Sequence, residues 1–67
     1  MKYRNGTKLN YRNKDLTLVD CECIGVREPS GEETWLYHWS DANAEQWLLT
    51  GRELSALIES GASLVEA

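Results

Sequence analysis

The run from Leu16 to Arg27 constrains the fold of this chain more than any other feature. Val19, Cys21 and Cys23 alternate with Asp20 and Glu22, the period-two pattern of a strand with one buried face. After Cys23 the apolar positions move to Ile24 and Val26, which is the opposite phase. A strand keeps both sets on one face only by taking in an extra residue. The spacing therefore predicts a bulge or sharp bend at Cys23–Gly25, where Gly25 is the residue type that tolerates it.

Shorter strand signals flank this run. Residues 1–6 read as a flexible start ending in the turn pair Asn5-Gly6. From Thr7 to Asn13, Leu9 and Tyr11 alternate with Lys8, Asn10 and Arg12, and Asn13-Lys14-Asp15 supplies turn residues. The polar stretch Glu28–Glu33 holds the only proline and reads as a hairpin connection. Thr34–Ser40 carries Trp35, Tyr37 and Trp39 at every second place. Asp41–Ala44 turns the chain again, and Glu45–Leu49 gives a fourth strand or a helical turn.

Thr50-Gly51-Arg52-Glu53 matches a capping box, in which hydroxyl and carboxylate each accept from the other residue's backbone N–H. Leu54, Leu57 and Ile58 follow at helical spacing, and Gly61 suits a left-handed C-terminal cap. A helix over 51–60 is ~15 Å long and must dock its apolar stripe on a sheet to persist. Ser63–Val65 can close as a last strand. The expected fold is one domain over 1–67, mainly β with one C-terminal helix (α+β). It is a small antiparallel four- to five-stranded curled sheet or SH3-like barrel, with the closed barrel preferred over an open sheet.

Size bears on chemistry. A chain of 67 residues buries only ~60% of its unfolded surface, which leaves little room for a deep cleft. The glycines are scattered singly and make no phosphate-binding loop. Ser30, Ser40 and His38 form no nucleophile motif, and no carboxylate pair is spaced for acid–base work. The expectation is a chain that is not an enzyme and takes no cofactor. Nothing approaches the ~18 apolar residues of a membrane span, and no apolar leader follows Met1, so a cytoplasmic protein with reduced thiols is expected. Cys21 and Cys23 are too close in sequence to bridge without strain. Were Ser30-Gly31 a two-residue turn, Cys23 would face His38, with Asp20 or Asp41 as a further ligand. A lone C-x-C inside a strand lacks zinc-knuckle spacing, however, so no metal is expected and the thiols read as small buried apolar groups.

The charge is segregated. Residues 1–27 hold six bases and three acids, residues 28–67 one base and eight acids, for a net charge of −4. The expected function is a non-enzymatic acidic binding domain that docks on a protein partner with a basic surface, as a regulator, adaptor or inhibitor. Trp39, Tyr37 and Trp47 would anchor, Trp39 being the exposed one at its strand end, and Glu32, Glu33, Asp41 and Glu45 would steer. A short chain starting at Met1 is read as a stand-alone regulator, by analogy of size and charge with phage and mobile-element proteins that block host nucleic-acid-binding or defence proteins. The alternative is a nucleic-acid-binding β-barrel using Lys8, Arg12, Lys14 and Tyr11. An overall pI near 4.8 argues against it. The expected state is a monomer, or a homodimer through a sheet edge.

Overall fold

The structure, a computed structural model, describes residues 3–67. Five strands and one helix follow in order: β1 (Lys8–Tyr11), β2 (Lys14–Arg27), β3 (Glu32–Ser40), β4 (Gln46–Thr50), α1 (Gly51–Glu59) and β5 (Ser63–Val65). The strands form one sheet in the order β4-β3-β2-β1-β5, and every neighbouring pair is antiparallel. Met1 and Lys2, part of the stretch read as a flexible start, lie outside the described residues. Tyr3 packs its ring on Tyr37 at 5.7 Å between centroids. The buried Thr7 accepts from the Ala67 N–H and donates its hydroxyl to the Arg4 carbonyl, so the two chain ends meet.

The sheet stays open. β4 and β5 are its two edges, and the chain passes between them through α1, which lies over the core face. The preferred SH3-like closure does not form, because the helix occupies the side of the sheet that closure would fill. Leu54 is the reason: it is 2% exposed and joins Leu9, Leu16, Leu18, Tyr37, Trp39 and Ala62 in the core. The capping box at Thr50 and Glu53 is present in both directions. At the other end the Ala62 N–H donates to the Leu57 carbonyl and the Gly61 N–H to Ile58, with Gly61 at φ 106°. This paired closure of the last carbonyls is what a left-handed residue after a helix provides.

Register decides which side chains reach the core. The β1–β2 turn is Arg12-Asn13, with φ of 51° and 64°, one residue earlier than expected. This two-residue geometry suits the right-handed twist of the strands, and it places Lys14 opposite Tyr11. Along β2 there are two register shifts against β3, one between Leu18 and Asp20 and one between Cys23 and Gly25. The second is the bulge the apolar phase predicted. The first makes Val19 the extra residue, so Val19 is 43% exposed and does not share a face with Cys21 and Cys23. The signal for it was in the sequence: Leu16 and Leu18 fall on even positions, the two cysteines on odd ones.

Candidate functional site: an acidic hairpin arm and the groove at its base

β2 and β3 outrun their neighbours. β1 pairs with β2 only as far as Thr17, and β4 covers β3 only from Leu36 onward. Beyond those points β2 and β3 continue as a two-stranded arm, and every residue from Glu22 to Thr34 is exposed. The arm helps stretch the molecule to 40 Å along one axis against 23 and 19 Å along the others. Its tip is the loop Glu28–Gly31, between the paired Arg27 and Glu32, with the Gly31 N–H donating to the Arg27 carbonyl at 2.8 Å. Gly31 takes a φ of 75°, which disfavours any residue with a Cβ.

The arm concentrates the charge. Glu22–Trp35 contains four acids (Glu22, Glu28, Glu32, Glu33) and one base (Arg27), a net of −3. The remaining residues hold seven acids and six bases, so the arm carries most of the net charge of −4. Ile24 and Val26, 53% and 55% exposed, add apolar surface among these carboxylates.

At the base of the arm lies an open groove of ≈ 630 Å³. Trp35, Tyr37, Tyr3 and Leu54 give it apolar lining, Arg52 a cation on the helix side, and Glu32 and Glu33 an acidic end. It exists because β4 leaves the sheet at Thr50 to begin the helix, while β3 begins four residues before Leu36, the first of its residues with a partner in β4.

The seven residues expected to meet the partner are not brought together. Tyr37 and Trp39 are 1% and 0% exposed, so Trp39, expected outside, is fully buried. It sits on an inner strand between Leu18 on β2 and Trp47 on β4, which outweighs its place at a strand end. Glu32 and Glu33 lie on the arm. Asp41, Glu45 and Trp47 lie at the other end of β3, whose nine residues span ~30 Å.

That far end is a cluster of its own. The Trp47 indole, 36% exposed, donates to Asp41 at 3.3 Å, and the Lys14 ammonium lies 4.1 Å from the Trp47 ring centre. Partial desolvation pulls the Asp41 carboxyl up. Donors from the Glu45 and Asn43 backbones and the Trp47 indole, with the Lys14 charge, outweigh it and hold the group below the usual aspartate range. Asp41 therefore works within the turn, and Lys14 is already engaged.

The basic set for nucleic acid is likewise divided. Arg12 lies over the Tyr11 ring at 5.2 Å, and Lys14 sits with Tyr11 on the core side of β1–β2. Lys8, next to the buried Leu9, points to the outer face and donates to Thr17 at 2.8 Å. The thiol–imidazole arrangement is absent as well. Cys23 stands opposite Trp35, while His38 stands opposite Asp20 on the other face and meets Glu22 at 3.4 Å. The Ser30-Gly31 turn that would have joined Cys23 to His38 gives way to the longer loop. Burial, and then the adjacent Asp20 carboxylate, push the Cys21 thiol up, away from thiolate character. Among the described residues, no three His, Cys, Asp or Glu side chains gather as a metal site.

Sequence reasoning missed the arm and its groove. The signal was the excess of acid between Asp20 and Trp35, combined with flanking strand candidates too short to cover both long ones. Comparison with protein-family models, with curated proteins and with solved structures finds no match.

Proposed function

We propose that this chain is a non-enzymatic binding domain that docks its acidic arm on a basic surface of a protein partner, as a regulator, adaptor or inhibitor. The observation that carries this reading is the separation of tasks: a nearly neutral body holds the core, and an exposed two-stranded arm holds most of the net charge. Carboxylates spaced along a narrow arm attract the same Lys and Arg residues as a phosphate backbone does. The arm would thus occupy a groove in which nucleic acid runs, and block it. Ile24 and Val26 would supply the apolar contact that turns attraction into a lasting complex. The anchors move from Tyr37 and Trp39, which are buried, to these two residues and Trp35. The two free cysteines, Cys23 among the exposed residues, suit a reducing compartment and support a cytoplasmic setting. No helix among the described residues is long and apolar enough to cross a membrane.

The test is affinity capture from a lysate of the native source at low and high salt, with the native chain and with Glu22, Glu28, Glu32 and Glu33 changed to Gln. A partner held by the native chain at low salt, released at high salt and missed by the variant is the expected result. A partner held equally by both chains would overturn the assignment to the arm.

A further inference from the structure

We infer that the groove at the base of the arm takes an extended basic segment of the partner as an added strand along β3. This rests on the reading of the arm as the docking element and specifies how it docks. Among the described residues, Glu32–Trp35 have β2 on one side and no strand on the other. In antiparallel pairing, alternate residues turn their N–H and C=O groups outward, so this stretch turns backbone donors and acceptors toward the groove, while the Glu32 N–H donates to the Ser30 hydroxyl at 3.3 Å. The chain's own strand β4 runs along the same edge of β3 and stops at Thr50, where the capping box turns it into the helix. An incoming strand would continue the line of β4 for four residues, ~14 Å.

The lining reads out a sequence preference. Trp35, on the same face as the buried Tyr37 two residues on, and Glu33, whose carboxylate meets the thiol of Cys23 at 3.6 Å, lie on the core side. Glu32 and Thr34 alternate with them on the other side. A strand antiparallel to β3 meets Trp35 first, then Thr34, Glu33 and Glu32. The fitting segment is therefore apolar, any residue, basic, basic, with its apolar side chain against Trp35 and Tyr3. Arg52 stands on the helix side and disfavours a cation at the apolar end. A second copy of this chain does not fit, because antiparallel pairing of Glu32–Trp35 with itself would set Glu32 opposite Trp35 and Glu33 opposite Thr34, with an acid at the apolar position and no cation at either basic one.

The probe is a blocked hexapeptide, Val-Thr-Lys-Lys-Val-Thr, titrated into the ¹⁵N-labelled chain. Saturable shifts confined to Glu32–Trp35 and Thr50–Ser55 are expected, and the Glu-for-Lys peptide should leave them unmoved. N-methylating alternate backbone nitrogens keeps the charge but blocks edge pairing, and should weaken binding by about tenfold or more. If the methylated peptide binds as well as its parent while Glu32→Gln with Glu33→Gln abolishes binding, strand addition fails and the acidic arm stands. If the double variant binds the parent peptide undiminished, both fail. Absence of saturable shifts at these residues at millimolar peptide also overturns the inference.

Discussion

Two residues in the β3–β4 turn show how a single position can be suboptimal or decisive. Ala44 follows a turn closed by its own N–H to the Asp41 carbonyl and takes a φ of 61°. A Cβ in that left-handed conformation costs ~1–2 kcal/mol, partly offset by the smaller unfolded-state freedom of alanine. Ala44→Gly is therefore expected to raise the denaturation midpoint, by up to about 1 kcal/mol of stability; a lower midpoint would contradict the turn assignment. Asp41 is decisive for a different reason. Its carboxylate is held below the ordinary aspartate range in the folded chain. Its contribution is thus fully present above the unfolded value of about 3.9 and is lost as pH falls through the lower folded value. Asp41→Asn keeps an acceptor for the turn and removes the charge. The melting-temperature gap between native and variant should be widest near pH 6 and close toward pH 2; a constant gap would mean that charge plays no part. Neither residue's role was legible beforehand, since a positive φ at alanine and a carboxylate with four donors and cations around it are set by the loop as a whole.

The elements themselves were legible where local chemistry fixes them. Thr50, Glu53 and Gly61 mark both ends of α1 through groups close in sequence, and the helix stops one residue short of the expected 51–60. The β2 bulge at Cys23–Gly25 follows from pleat parity in the same local way. Burial on the helix was harder, because it depends on where the sheet lies. Leu54 is 2% exposed, Leu57 is half-buried and Ile58 is 38% exposed, although all three fit one stripe. Leu54→Ala is expected to cost ~2–5 kcal/mol, enough to unfold a domain of this size. Ile58→Ala should cost far less, nearer the ~0.5 kcal/mol of a surface change. Equal costs in urea unfolding would place the helix in a different rotation. Trp39 illustrates the same limit: its strand is inner rather than edge, and only the pairing of β3 with both β2 and β4 reveals that.

At the scale of the whole molecule, length mismatch among strands creates the feature on which function is argued. A 14-residue β2 and a 9-residue β3 pair beyond the reach of the 4-residue β1 and 5-residue β4, and what overhangs is the acidic arm. Open closure has the same origin, because a helix rather than a strand follows β4 and covers the core face. The charge asymmetry could be read directly from the sequence, but as two halves of the chain. Folding redraws it as body and arm, since β2 contributes Glu22 from the basic half and β3 contributes Glu32 and Glu33 from the acidic half. The steering set Glu32, Glu33, Asp41 and Glu45 was split for the same reason: residues on one strand can be close in number and lie at its two ends.

On the proposed function, the arm binds and the body folds. The most direct measurement pairs thermal unfolding with partner affinity for the variant carrying Gln at Glu22, Glu28, Glu32 and Glu33. Stability within ~0.5 kcal/mol per site of native is expected, with affinity for the captured partner reduced by about tenfold or more and largely insensitive to salt. A variant that binds as tightly as the native chain, with the same salt dependence, would contradict the proposed function.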